Sequence, residues 1–590
     1  MTSRRQAALI VALSLAAAIP TRAEEPPVRR DLSAGVLLGE AALTDPVPLA
    51  AYAPASDAKP AVTAFHGRLT FEVKDADAGF RLLRDDLQLA AGKDRSYRKP
   101  PRFDFTFVQV GDRLVPTRRV SPPVDRAWWE WIVQPGRVWS EGVDGGRSRA
   151  AVSFSLEERN ANCMHHGVLT FLYGPGNEVS QVAYQISQET CAYFQFDAWG
   201  RAQAHYEWGD PPDAVAVAQS YERERAARWP VRPMTALTDA YPRAVPADFG
   251  SPAEIPADQM TAFGVVADGV HYVGGCDTRQ GPYPFCDELP LPSYSVAKTV
   301  AAGLGLMRLE LLDASVKSAL VTDYVPECAA ARGWEGVTFD NLLDMATGRY
   351  DSAAREADED AANSSTFFLS ETHAEKLQFA CTHYPRKEPP GRRWVYHTTD
   401  TYLLGAALQA WWQRRHGAGA DVFEDVLVHG IWEPLALSPT ARTTRRTYDA
   451  AAQPFFGWGL TLTRDDVAKL ATFIGRDRGV HDGKPLVATD EIAAALQLRD
   501  TDRGLPAGSS DFRYNNGLWA WRMSDLPGCP APVWVPFMSG YGGITIALFP
   551  NGMSYYYFSD GGTFRWRRAA LAAHRMRSFC PSSSEPGARP

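Results

Sequence analysis

Ser295 and Lys298 stand three residues apart at the mouth of an apolar run, "LPSYSVAKTVAAGLGL" (291–306). In a helix, positions i and i+3 share a face about one turn apart. Lys298 can then set its amine beside the Ser295 hydroxyl. A lysine buried in such a place gives up its proton and serves as a base for a serine nucleophile. The run after Ser295 has the length and Ala/Leu content of a helix despite Gly303 and Gly305. Ser295 is expected at its N-terminus, where free backbone N–H groups favour developing negative charge. Spacing alone does not establish this chemistry. The chain also holds Ser56-Asp57-Ala58-Lys59, where Pro60 follows the lysine and nothing fixes its amine.

The elements that must position this pair are read from pattern. "AFGVVADGVHYVGG" reads as two strands joined at Asp268-Gly269, and "GITIALFPNGMSYYYFSDGG" as a second hairpin turning at Asn551-Gly552. Between them lie several helical runs, from 295 to about 480, and a final helix is expected over 563–578. The fold class is therefore α+β: one antiparallel sheet built from both ends of the catalytic domain, flanked by a mostly helical middle. A β-rich domain precedes it. Its strands, "GRLTFEV", "FDFTFVQV" and "AYFQFDAW", alternate or run in β-branched and aromatic residues. Within "AWWEWIV", Trp128, Trp129 and Trp131 read as strand residues burying their indoles, ahead of an aromatic platform for glycan or peptide. His165-His166 lacks a third ligand at useful spacing and reads as ordinary polar sequence; no metal and no cofactor is expected.

The divisions expected are a signal peptide over 1–23, a loose leader over 24–60 and a β-rich accessory domain over 61–228. A linker over 229–254, the catalytic domain over 255–580 and a disordered tail over 581–590 complete the chain. The opening "MTSRRQAALIVALSLAAAIPTRA" has a basic start, a short apolar run and a small residue at the cut. Its loss removes three arginines, taking the net charge from −8 to −11. That balance argues against nucleic acid as partner, and no span is expected to remain in a membrane. Eight cysteines behind an export signal suit disulfides in a periplasmic or secreted protein. Sequence order suggests Cys163–Cys191, Cys276–Cys286, Cys328–Cys381 and Cys529–Cys580, though order does not fix connectivity. There is no Gly-x-Ser-x-Gly elbow and no His-Glu-x-x-His helix.

From about 255 to 578 the chain resembles the serine β-lactamase and penicillin-binding-protein-like hydrolases, in particular the class C β-lactamase, esterase and 6-aminohexanoate-dimer hydrolase branch. "YSVAKTVAAGLGL" looks like the first motif, "PPGRRWVYHTTDTYLLGAAL" (389–408) like the second and "MSGYGGITIALFPNG" (538–552) like the third. "GWEGVTFDNLLDMATG" resembles the stretch in which Thr338 opens a helix and Gly348 closes it, and "GWGLTLTRDDVAKLATFI" resembles a later helical landmark. The resemblance implies that Ser295 is the acylated nucleophile, Lys298 its proton partner and Tyr396 a second proton shuttle. It places the backbone N–H groups of Ser295 and Tyr541 in an oxyanion hole. Thr398, Met538, Ser539 and Gly540 fall at substrate-binding positions. Thr398 replaces the usual Asn, and Met538 replaces the usual Lys or His, so an obvious partner for a carboxylate is lost. This departure points to an ester or amide substrate, small or peptide-like, ahead of a β-lactam or D,D-peptide. The competing reading is a β-lactam- or peptide-binding sensor that keeps the fold without turnover. A glycan contact through the N-terminal domain is a further expectation.

Overall fold

The computed structural model describes residues 31–74 and 79–580. The expected signal peptide and tail lie outside the described residues. Two large sheets organise the rest. The first has eleven strands, from His66–Phe71 to Ala204–Trp208, all paired antiparallel. Three adjacent long strands, Ser148–Glu158, Met164–Tyr173 and Val182–Thr190, are buried at almost every position. A sheet covered on both faces loses the polar/apolar alternation of a half-exposed one. One face carries an aromatic core that includes Phe103, Phe105, Phe107, Trp129, Trp131 and Phe171. The other sends Trp139, Ala151, Val168, Leu172 and Ala183 into the core of the catalytic region.

The indoles of Trp129 and Trp131 are buried, donating to Tyr97 O at 2.6 Å and Pro101 O at 2.8 Å. His165 and His166 are also core residues. Burial holds both rings neutral, pushing His166 down to about 3. His166 bonds Ser155 and Thr190, both at 2.8 Å.

The second sheet has nine strands in the order Val231–Pro233, Val270–Gly275, Met260–Ala267, Ser554–Ser559, Ile544–Leu548, Val533–Gly540, Leu518–Met523, Ser509–Asn515 and Leu505–Ala507. Strands from the start and end of the catalytic region lie side by side at its centre, as the α+β reading requires. Only its edge pair, Val231–Pro233 with Val270–Gly275, is parallel. The turn at Asp268-Gly269 has both φ values positive, at 49° and 80°, the conformation a two-residue hairpin demands. The long helix Thr398–His416 has Asp400 in its first turn and Arg414, Arg415 and His416 in its last, matching its dipole. The last helix is Arg567–Met576, shorter than expected. Thr338 caps Phe339–Leu343 in a capping box with Asn341. Gly348 does not close that helix, which ends at Leu343.

Two stretches differ from expectation. Residues 31–60, within the expected loose leader, are packed: Leu32, Val36, Leu37, Leu49 and Tyr52 are buried in the shared core. Their Ala/Pro-rich sequence hides this, because short caps such as Ala34–Leu37 show no periodicity. The expected linker contributes the edge strand Val231–Pro233 and buries Met234, Leu237 and Phe249. All four cysteine pairs form in sequence order. No helix among the described residues is long and apolar enough to cross a membrane.

Because one face of the first sheet is covered by the catalytic region, a fragment of residues 61–228 is expected to lose its native packing. Thermal unfolding followed by near-UV circular dichroism checks this. A cooperative transition in the fragment matching one in the full chain would show that the sheet stands alone.

Candidate active site

Ser295 sits in the turn just before Val296, with Lys298 as the first residue of a π-helical stretch, Lys298–Gly303, that continues into Leu304–Leu312. The expected regular helix is thus wider at its start, a feature that π-bulges commonly bring to functional sites. The pair still meets: Lys298 Nζ lies 2.9 Å from Ser295 Oγ. Lys298 is only 2% exposed and also donates to Thr398 Oγ1 at 2.8 Å and Gly457 O at 3.1 Å. Burial pulls its pKa down to about 8, against a smaller opposing pull from the Glu359 carboxylate.

Tyr396 lies beside them, its ring centre 5.2 Å from Lys298 Nζ and stacked on Trp519 at 6.1 Å. Burial, and next the charge of Glu359, raise its phenol well above the ordinary value; a hydrogen bond with Ser295 opposes the rise.

The strand Val533–Gly540 brings the third motif to the site. A side chain at Gly540 would place its Cβ 2.9 Å from Ser293 O, so glycine lets this strand end close on the backbone preceding Ser295. Ser295, Tyr396, Ser539, Gly540 and Tyr541 all line one cleft of about 840 Å³. Neither the Ser295 nor the Tyr541 backbone N–H makes a hydrogen bond among the described residues. Two of the four expected substrate-binding residues stand elsewhere. Met538 is fully buried in the core, because strand alternation turns Phe537 and Ser539 to the cleft instead. Thr398 is buried beneath the cleft, occupied by Lys298 and Glu359.

Three further contributors enter the site, and of these only Gly457, which opens "GWGLTLTRDDVAKLATFI", lies in a stretch with a recognisable pattern. Glu359 accepts from Thr398 N at 3.0 Å and from its hydroxyl. Its neighbour Asp358 fixes the loop, accepting from Asp351 N and Ser352 N at 2.8 and 2.7 Å and pairing with buried His397 at 3.0 Å. Burial opposes charge on His397, yet Asp358 and Asp400 outweigh it and hold its pKa above the usual value. Gly457 delivers its carbonyl to Lys298 from a tight turn, where a Cβ would meet Thr398 Cγ2 at 3.0 Å. The third is Asn162, from the N-terminal sheet. Its fully buried Oδ1 accepts from Tyr294 N at 2.7 Å, Gly459 N at 3.1 Å and Ser293 Oγ at 3.2 Å. Its Nδ2 donates to Glu157 at 2.6 Å and Leu460 O at 3.4 Å. Tyr294, next to Ser295, is held there at a φ of +40°, uncommon for an aromatic residue. Arg355, Arg565 and Arg567 also line the cleft, so cations absent from position 538 enter from elsewhere.

A catalytic region with this sheet, these helices and a Ser-x-x-Lys/Tyr cluster defines the β-lactamase-like serine hydrolases. Residues 259–552 match the family model described as Beta-lactamase, and over that span the chain belongs to this family. The solved structures it resembles include a putative 6-aminohexanoate-dimer hydrolase from Bacillus anthracis, with 17% identity over 54% of this chain and 78% of that one, at a TM-score of 0.40. EstCE1, a hydrolase with promiscuous acyltransferase activity, shows 16% identity over 61% of this chain and 100% of that one, at 0.39. The D-alanine carboxypeptidase AmpC from Burkholderia cenocepacia shows 15% identity over 62% and 99%, at 0.37. No curated protein matches the chain.

Asn162→Ala leaves two buried backbone N–H groups without their partner and takes from buried Glu157 one of its hydrogen bonds, leaving it Arg445. It is expected to cost about 2–3 kcal/mol of stability. A lowered denaturant midpoint for the full chain checks this, and an unchanged midpoint contradicts it.

Proposed function

We propose that this protein is an exported serine hydrolase that cleaves an ester or amide through an acyl-enzyme. The observation that carries the reading is the buried Lys298 amine, 2.9 Å from the hydroxyl of Ser295. As Ser295 Oγ bonds to the acyl carbon, its proton passes to Lys298. The proton then goes to the leaving group as that bond breaks. Water repeats the sequence in reverse to release the acid. Tyr396 stays a neutral phenol at any ordinary pH, which suits a donor or relay and leaves the base role to Lys298. The N–H groups of Ser295 and Tyr541 receive the oxyanion; such a pair contributes about 3–4 kcal/mol to barrier lowering.

The cleft supports the choice of substrate. Phe512, Trp519, Phe537 and Trp566 give it an aromatic wall suited to an apolar acyl or leaving group. With Met538 buried, no lysine or histidine stands beside Tyr396 on the third-motif strand. Arg565 offers a cation with no ion pair among the described residues, so an anionic end on the substrate is tolerated. Four disulfides support an oxidising compartment, periplasmic or extracellular.

A panel of short-chain aryl esters, D-amino-acid amides and a chromogenic cephalosporin tests the proposal. Ester or amide turnover is expected, abolished in Ser295→Ala and Lys298→Ala. Rapid cephalosporin turnover with inert esters would assign the site to lactams instead. Lys298 must be neutral to accept a proton, so kcat/KM is expected to rise with pH and level off above an apparent pKa of about 8. A profile flat from neutral to alkaline pH would exclude Lys298 as the base.

A further inference from the structure

Lys298 Nζ has three hydrogen-bond neighbours: Ser295 Oγ, Thr398 Oγ1 and Gly457 O. An ammonium has three protons and serves all of them. The neutral amine that must act as base has two protons and one lone pair, so one neighbour has to face the lone pair. Gly457 O only accepts and therefore takes one proton. The Thr398 hydroxyl, in isolation, could either accept from the amine or donate into its lone pair.

Glu359 removes that freedom. Its carboxylate has no proton to give and takes both donors of Thr398, the backbone N–H at 3.0 Å through Oε2 and the hydroxyl proton through Oε1. Thr398 Oγ1 then presents only lone pairs to Lys298, which must donate to it. Both amine protons are committed, and Ser295 is the one neighbour left for the lone pair. We propose that Glu359 is a positioning residue that, by holding the proton of Thr398, aims the lone pair of neutral Lys298 at the Ser295 hydroxyl. This rests on the reading of Ser295 as nucleophile and Lys298 as base. The loop is built for such a task, since Asp358, the residue before Glu359, is tied to the backbone of Asp351 and Ser352 and to His397. Proton flow follows without a further reactant. The Ser295 proton moves onto the amine, the ammonium donates to all three neighbours, and its return to the leaving group restores the aimed lone pair.

The test compares wild type, Glu359→Gln, Thr398→Val and the double variant. It reads the rate of covalent labelling by a fluorophosphonate from neutral to alkaline pH in the full chain. Glutamine cannot accept both Thr398 donors. With its oxygen on the backbone N–H, its amide donates to Thr398 Oγ1, and the hydroxyl proton turns into the Lys298 lone pair. The alkaline plateau of Glu359→Gln is expected to fall about a hundredfold. Its acidic limb should move to lower pH, because the carboxylate that favours the ammonium is gone. Adding Thr398→Val removes the competing hydroxyl, so the double variant is expected to label at least tenfold faster than Glu359→Gln alone. A purely structural role predicts the opposite, since the second substitution adds damage. A wild-type plateau in Glu359→Gln, or a double variant no faster than it, overturns the proposal. Labelling that persists in Ser295→Ala would instead sink the underlying reading of the nucleophile.

Discussion

One buried amide holds the two backbone segments that frame the reactive pair. Asn162 reaches out of the N-terminal sheet and takes hydrogen bonds from the backbone of Tyr294, which precedes Ser295, and of Gly459, which follows the turn carrying Gly457. The position asks for a side-chain amide. The oxygen meets three donors while the nitrogen must donate to Glu157 and Leu460 O. An aspartate there would face the Glu157 carboxylate. Glu157 is itself tied down, 3.0 Å from Arg445, which also pairs with Glu130 at 2.8 Å. Burial nonetheless lifts the Glu157 pKa to about 7. These groups lie in the seam between the two regions, where an unpaired polar atom is costly.

The N-terminal sheet is therefore a wall of the catalytic region. Its central strands are buried on both faces, and the face toward the catalytic region carries Ser153, whose hydroxyl meets Tyr283 at 2.7 Å. At the cleft mouth, Tyr193 from this sheet stands 6.3 Å from the Tyr541 ring, which in turn lies 5.7 Å from Tyr294. The packing of residues 31–60 along the same seam extends the contact. A site assembled this way depends on long-range pairing that holds each backbone segment from two sides.

What could be read from the chain follows the range of the forces involved. Ser295 and Lys298, both hairpins and the Thr338 cap lie within local windows, and their pattern carries their structure. So did the sheet made from the two ends of the catalytic region, since strand signals bracket the helices. The inward direction of Met538 follows from simple alternation along Val533–Gly540, which turns Phe537 and Ser539 the other way. Glu359 sits in "READEDAANSS" (355–365), an acidic stretch that looks solvated, and only the fold brings it to Thr398. Asn162 is separated from Tyr294 by 132 residues. No periodicity or spacing encodes a contact of that range.

Labelling with a fluorophosphonate, read by intact mass and peptide mapping, tests most directly the claim that the fold activates Ser295. One adduct per chain, mapped to the peptide holding Ser295 and absent from Ser295→Ala, is the predicted result. An unlabelled wild-type protein that unfolds cooperatively would contradict the account, leaving a folded scaffold without an activated nucleophile.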